Sequence, residues 1–347
     1  MAEITFKQRV DKFWAWFTKH ADRFYQTIED GKCPDLGTEF QEACGSLLPG
    51  FAWNFGPGEN GGHSFTLSGE GDLNRQILTS FWLSRAPQLN GWTFYSAKQA
   101  TESLEGKRID VADMSFSPEE LIFVPRIDRE EEKINLQLWH PNFKQSDDEL
   151  KYTLAFLWLD ESLGETGVQN WIGEITFKKP GLFSKGKPLT ELAGYVNQLQ
   201  AQEDWEKFPP DQTYSTYSMP EPSEAFPRAD TIAGSTCNMR LIGEFLSTAG
   251  EMESPGKEVG ADFAYLAIDP SVFPDGKQVE VRGEIEDTLN STLESKASGR
   301  VFGGAFGFRA AYVDIVLFDG EESLKLVHGV MQYHNLHDKY EVCSFGS

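Results

Sequence analysis

The hydrophobic positions near the start of the chain repeat at helical spacing. At about 100° per residue, the large apolar side chains fall on one stripe about 120° wide, and the opposite face is charged. The stripe consists of Phe6, Val10, Phe13, Trp14, Phe17, Ala21, Phe24 and Ile28. This pattern predicts a long amphipathic helix over residues 6–28 whose aromatic side faces a core.

The rest of the first half mixes helices with short strands. Residues 148–165 are apolar on nearly every side, which indicates a buried helix, and residues 168–177 alternate as a strand does. Strands at 121–127 and 133–139 are separated by a charged turn. The other elements predicted here are helices over 36–48 and 73–86, two strands within 51–69 and a strand within 91–99.

The second half repeats this mixture of strands and helices. Its longest predicted helix, over 281–298, carries an apolar line from Val281 to Leu293 and ends at Gly299. The other elements are strands near 231–237 and 262–269, helices over 238–248 and 321–329, two strands within 301–318 and a final strand. We therefore predict an α+β protein with antiparallel or mixed sheets packed against helices, and a ferredoxin-like C-terminal part.

A proline-rich segment separates the two halves. Residues 206–230 hold five prolines among polar residues, a composition that favours extended backbone and buries too little apolar surface to fold alone. We predict an N-terminal domain at 1–206, a linker at 207–228 and a C-terminal domain at 229–347.

The charge of the chain narrows the choice of partners. The 31 Lys and Arg residues against 54 Asp and Glu residues give a net charge of −23, which repels nucleic acid. Metal ions, cationic small molecules or a protein with a basic segment fit this field, although the acidity can equally serve solubility alone. Lysines gather without acids in one glycine- and proline-rich loop, where a local anion site is an alternative, and they are Lys178, Lys179, Lys185 and Lys187.

Other features of the sequence indicate a cytoplasmic protein. No apolar run is long enough for a membrane span, and the first residues lack the pattern of an export signal. The four cysteines are widely spaced and form no C-x-x-C motif, which fits reduced thiols.

A glycine-rich stretch at 299–320, GRVFGGAFGFRAAYVDIVLFDG, raises the question of a phosphate-binding loop. Such a loop needs the order strand, glycine loop, helix, so that N–H groups and the positive end of the helix face the anion. Here a helix precedes the glycines and a strand follows. We predict instead that Gly303, Gly304 and Gly307 permit a bulge or a close backbone approach, and we keep them as candidate binding residues.

Asp314 interrupts the apolar strand that follows the glycines. Both faces of this strand carry apolar residues, so Asp314 is predicted to be buried, and a buried carboxylate needs a partner. The predicted partner is Arg309 or Arg300 in a structural ion pair, and a functional acid is the alternative. Arg309 and Asp314 are both candidate binding residues.

Signatures of catalysis or metal binding are weak. Glu165 and Glu174 flank the end of the buried helix and the following strand, where they could form a catalytic pair, but no G-x-S-x-G motif is present. His328, His334 and His337 lie close in sequence without the spacing of a zinc site. We predict no catalytic residue, no metal and no cofactor, and keep Glu165 and Glu174 as candidate binding residues.

Several stretches resemble a bacterial family called domain of unknown function 695. They are GGAFGFRAAYVDIVLFD with the preceding VEVRGEIEDTLNSTLES and, nearer the N-terminus, FWAWFTKHADRFY, APQLNGWTFYSAKQ and WIGEITF. The family is uncharacterised, so the resemblance implies no catalytic residues. The fold it implies is similar to that of the acidic protein inhibitor of ribonuclease E, a ferredoxin-like domain that docks on a protein partner.

These observations favour a non-catalytic protein that binds a partner with a basic segment through an acidic surface. The alternative is a hydrolase with a carboxylate site near the predicted domain interface. It would need a deep cleft that joins two or more of Glu165, Glu174 and Asp314. A dimer built on the aromatic first helix is a third hypothesis, and the sequence does not predict the oligomeric state.

Overall fold

The structure is a computed structural model that describes residues 4–181 and 186–347, so Lys185 of the predicted lysine loop lies outside the described residues. Within these ranges the eight α-helices, α1 to α8, span Phe6–Glu29, Gly37–Leu47, Leu73–Ser84, Asp148–Trp171, Leu192–Glu203, Met239–Ser247, Gln278–Ser295 and Gly320–Tyr333. The strands, β1 to β15, span Ala52–Pro57, His63–Ser68, Trp92–Tyr95, Ile109–Val111, Met114–Phe116, Ile122–Asp128, Lys133–Trp139, Ile172–Phe177, Lys187–Pro188, Ser215–Ser218, Thr231–Thr236, Asp262–Ile268, Gly299–Gly307, Ala311–Leu317 and Tyr340–Ser344. This mixture of helices and sheets confirms the predicted α+β class.

The chain divides into two compact units. The first contains Met1–Phe65, Asp72–Phe94 and Asp211–Ser347, and the second contains Thr66–Gly71 and Tyr95–Pro210. This division differs from the predicted one, which separated 1–206 from 229–347. The predicted linker also contains β10, which pairs antiparallel with β11.

Helix α1 confirms the predicted amphipathic helix. It begins at a capping box in which the Thr5 side chain accepts from the backbone N–H of Gln8 and the Gln8 side chain accepts from Thr5. The predicted stripe is buried from Phe6 to Phe24. Trp14 stacks on Trp82 of α3 with the ring centroids 4.5 Å apart.

A six-stranded sheet forms the centre of the first unit. Its strand order is β10-β11-β13-β14-β12-β15, and all neighbouring strands run antiparallel. One face packs against α7 and α8 through aliphatic residues such as Leu289, Val313 and Val327. The other face carries aromatic residues, among them Phe263, Tyr265, Tyr312 and Phe345, and this face builds the candidate site.

The second unit has its own sheet and core. Its sheet order is β8-β7-β6-β9, in which only β7 and β8 are parallel among the described pairs. Helix α4 packs on it through residues such as Trp158 and Leu159. The predicted helix 148–165 runs on to Trp171 beyond a kink at Gly164, whose φ of 71° and ψ of 163° are non-helical, so the strand predicted from residue 168 begins only at Ile172.

The described helices include none that is both long and apolar enough to cross a membrane.

Candidate binding site

Asp314 lies in β14, where every residue is buried, and its partner is Arg228. Arg228 Nη1 donates to Asp314 Oδ1, and Nη2 lies 3.4 Å from Oδ2. The prediction of a buried structural ion pair is confirmed, but neither predicted partner forms it: Arg309 pairs with Glu224 and Arg300 with Asp211.

Arg228 is enclosed by aromatic rings as well as by Asp314. Its guanidinium lies 4.8 Å from the ring centroid of Tyr312, 5.1 Å from that of Tyr265 and 5.2 Å from that of Phe345. Burial disfavours its charge, but the adjacent Asp314 carboxylate outweighs that cost and holds the pKa of Arg228 above its ordinary value. The Arg228–Asp314 pair therefore holds the surrounding aromatic rings in place, and these rings form the floor of the site.

The backbone of Arg228 is also unusual. Its φ is 67°, in the left-handed region that residues with a side chain rarely adopt. Tyr312 connects this residue to Asp230, because the Arg228 guanidinium lies against its ring and its hydroxyl donates to the Asp230 carboxylate.

Asp230 joins the aromatic floor to the loop between β13 and β14. Its carboxylate accepts hydrogen bonds from the Tyr312 hydroxyl and from the backbone N–H groups of Arg309 and Ala310, the last two at 2.8 and 3.3 Å. Burial, with the bond to Asp230, raises the pKa of Tyr312. A Cβ on Gly307 would collide with the Asp230 carboxylate, so glycine is required for this close approach.

These groups border a cavity of about 660 Å³ in the first unit. Tyr265 and Tyr312 line it, as do Arg228, Asp230 and Cys343. Burial raises the pKa of the Cys343 thiol, so this sulfur stays protonated and is a poor nucleophile.

The rim of the cavity is acidic. It carries Glu224, Asp269, Asp338 and Glu341 against the two cations Arg309 and Lys339. Arg309 pairs with Glu224 at 3.4 Å, and Lys339 pairs with Asp269 at 3.2 Å. Among residues 4–181 and 186–347, Asp338 and Glu341 have no ion-pair partner, so the cavity retains an uncompensated negative charge.

Asp269 of this rim is held in its ionised form by hydrogen bonds and a neighbouring cation. Hydrogen bonds from the backbone N–H and side chain of Ser271, together with Lys339, lower its pKa to about 2. We name this cavity, with its tyrosine floor and acidic rim, the tyrosine–acid cavity.

Gly303 and Gly304 lie inside β13, not in a loop. The register of β13 on β14 shifts between Val301 and Gly303, which confirms the predicted bulge. A Cβ on Gly303 would come within 2.8 Å of Thr236, and one on Gly304 would collide with Glu286 of α7. Both glycines line a separate cavity of about 260 Å³ with Glu286 and Arg300.

Glu165 and Glu174 belong to the second unit and have different surroundings. Glu165 is buried after the kink in α4, where its carboxylate accepts from the Ser68 hydroxyl at 2.6 Å and from the N–H groups of Gly71 and Lys98 at 2.9 and 3.2 Å. Glu174 is exposed on β8. Neither residue, nor Asp314, lines any of the four cavities described for this structure, so the geometry gives the hydrolase alternative no support.

The sequence pattern indicates part of this site but not its centre. Gly307, Arg309 and Asp314 all lie at or directly beneath the tyrosine–acid cavity, whereas Arg228 and Asp230 were assigned to the linker and its border. The proline-rich composition around Arg228 and Asp230 predicted a linker and gave no indication of a binding site. One usable signal was present, since the buried Asp314 carboxylate required a cationic partner and an arginine follows directly after Pro227.

The described residues contain no group of three or more His, Cys, Asp or Glu side chains arranged to hold a metal ion. Comparisons of the chain with protein-family models, with curated proteins and with solved structures found no match.

Proposed function

We propose that this chain is a non-catalytic binding protein that holds a basic segment of a protein partner in the tyrosine–acid cavity. The observation that carries the proposal is the pair of unpaired rim acids, Asp338 and Glu341, beside the tyrosine floor. Carboxylates attract lysine and arginine side chains, and the two cations of the rim, Arg309 and Lys339, are already paired with other acids.

The charge of the whole chain supports the same kind of partner. A net charge of −23 accelerates the approach of a cationic segment and opposes nucleic acid. All four cysteines are free of disulfide bonds, which supports a cytoplasmic location.

The topology of the first unit supports a ferredoxin-like assignment for its C-terminal part. The elements β12, α7, β13, β14, α8 and β15 follow a βαββαβ order, and their strands are arranged β13-β14-β12-β15. Strands β10 and β11 extend this arrangement at one edge, and the resemblance to domain of unknown function 695 and to the ribonuclease E inhibitor stays a prediction. A fold does not fix a function, so the proposed partner depends on the charge of the cavity itself.

The test is titration calorimetry with a lysine-rich peptide and with a glutamate-rich peptide of equal length. We expect only the lysine-rich peptide to bind, and we expect its affinity to fall when salt is raised from about 50 to about 500 mM, because ions screen exposed charges. Changing Glu341→Gln should weaken binding by about twofold to fivefold, the range of an exposed charge pair.

A matched control separates the cavity from the general charge of the molecule. Glu42→Gln removes the same charge from an exposed position of α2, outside the cavity, and should leave the affinity nearly unchanged. Equal effects of the two substitutions would show that the cavity is not the binding site. Absence of binding at low salt would overturn the proposal.

A further inference from the structure

Strand β15 forms one edge of the six-stranded sheet. It pairs only with β12 among the described strands, over five residues without a register shift. Sheet edges are usually protected by prolines, bulges or short strands. The other edge, β10, is a four-residue strand between Pro210 and Pro220, whereas Tyr340–Ser344 contains no proline.

The pairing pattern shows which backbone groups of β15 face outward. Phe345 donates to Phe263 at 2.9 Å, and Asp269 donates to Lys339 at 2.9 Å, which identifies the hydrogen-bonded pairs of the β12–β15 ladder. Because such pairs alternate along an antiparallel ladder, Tyr340, Val342 and Ser344 direct their N–H and C=O groups away from β12. No other part of the described chain bonds to these groups.

The side chains of β15 alternate between the two faces of the sheet. Glu341 and Cys343 lie opposite Ala267 and Tyr265, so they share the face that holds the tyrosine–acid cavity. Tyr340 and Val342 pack toward the core under α7 and α8. A strand added beside β15 would therefore point every second side chain toward the cavity.

The charged residues beside this edge determine which kind of segment can pair with β15. Asp338 and Glu341 lie next to the edge without ion-pair partners, and Lys339 is already paired with Asp269 at 3.2 Å. A strand with cations on its cavity-facing positions is attracted, and a second copy of β15 would bring its own Glu341 to the same acidic region. The edge therefore fits a basic segment better than a second copy of this chain.

We propose that the basic segment binds as a seventh strand on β15, in extended conformation, with lysine or arginine at alternating positions. This proposal rests on the proposed function and specifies its geometry. Main-chain hydrogen bonds to Tyr340, Val342 and Ser344 would supply affinity, and the tyrosine–acid cavity would select the alternating cations.

The experiment compares two peptides of identical composition. In one, lysine and threonine alternate, and in the other the lysines and threonines form two blocks. We expect the alternating peptide to bind about tenfold more tightly, because only it can place each cation on the cavity face while the backbone pairs. Hydrogen exchange of the Val342 and Ser344 amides should slow when it binds. The alternating peptide with N-methyl groups on every second residue should lose this advantage, and it tests the backbone bonds without altering the protein.

The outcomes separate the two proposals. If both peptides bind equally and the Val342 and Ser344 amides stay unprotected, the strand-addition proposal is wrong while the proposed function stands. If neither peptide binds, the proposed function itself is wrong. If the protein alone is a dimer by light scattering and these amides are protected without peptide, a second copy occupies the edge and the strand-addition proposal is overturned.

Discussion

Asp314 and Arg228 bury opposite charges against each other beneath the tyrosine–acid cavity. Removing only one charge leaves the other desolvated without compensation, which typically costs about 3–5 kcal/mol. We therefore expect Asp314→Asn to lower the free energy of unfolding by about this amount, as measured by urea denaturation. The control is Glu174→Gln on the exposed side of β8, which should change it by less than about 0.5 kcal/mol.

The double substitution Arg228→Met with Asp314→Leu distinguishes burial of charge from loss of packing. Apolar side chains of similar size can replace a buried ion pair at little cost. The double variant should therefore be more stable than Asp314→Asn. If the single and double variants are equally destabilised, the aromatic packing of Arg228 on Tyr265 and Tyr312 outweighs its charge.

For Asp314, the sequence predicts the burial of the side chain but not the identity of its partner. The burial of Asp314 could be predicted, because both faces of its strand are apolar. Its partner could not, since Arg228 lies 86 positions away in a proline-rich segment that looks like a linker. The Arg228–Asp314 pair forms because the fold brings two distant segments together. A prediction from local sequence favours Arg309 instead, because Arg309 is only a few positions from Asp314.

At the scale of elements, α7 packs on β13 through a half-buried carboxyl group. Glu286 lies over Gly304, where a Cβ would collide with it, and burial raises its pKa to about 7 despite the opposing charge of Arg282. The folded protein therefore holds a proton on Glu286 that the unfolded chain releases near pH 4.5. This proton stabilises the folded state below pH 4.5, and its contribution is lost as the pH rises toward 7.

We expect Glu286→Gln to remove this pH dependence. Above pH 7 the wild-type carboxylate is charged and half-buried, so the variant should be more stable there by up to about 3 kcal/mol, and below pH 4.5 the two proteins should be equally stable. Urea unfolding at pH 4.5, 6 and 8 measures this difference. A constant difference across the three pH values would show that Glu286 does not titrate as described.

Elements with one strong period were the easiest to predict. The apolar stripe of α1 places its aromatic residues on one helical face, and the helix forms as expected. The end of α4 was harder, because Gly164 kinks the helix without ending it and the apolar residues beyond it fit a strand equally well. Such short apolar runs carry no periodicity that separates helix from strand.

At the scale of the whole molecule, one compact unit combines the two ends of the chain. Phe318, directly after β14, packs on Phe6 of α1 and Phe81 of α3, with ring centroids 5.9 and 4.2 Å apart. The Asn238 side chain, the N-cap of α6, donates to Asn74 at 2.7 Å. The sequence pattern predicted both sets of elements, but no local feature indicated that they share a core.

This shared core determines what a fragment of residues 229–347 should do. The fragment lacks Arg228, so Asp314 would be buried without its partner, and it lacks α1 and α3, so Phe318 would lose Phe6 and Phe81. Each fully buried phenylalanine contributes about 1.5–3 kcal/mol, and a domain has only about 5–15 kcal/mol in total.

We therefore expect the fragment to keep helical far-ultraviolet circular dichroism but to lose its near-ultraviolet signal and its cooperative urea transition, while the full chain keeps both. Adding residues 211–228 restores Arg228 and β10, which should recover part of the near-ultraviolet signal because Tyr265 and Tyr312 regain the guanidinium between them. If residues 229–347 alone unfold in one sharp transition, the C-terminal part is an independent domain. The packing of α1 and α3 on Phe318 is then not required for its folding.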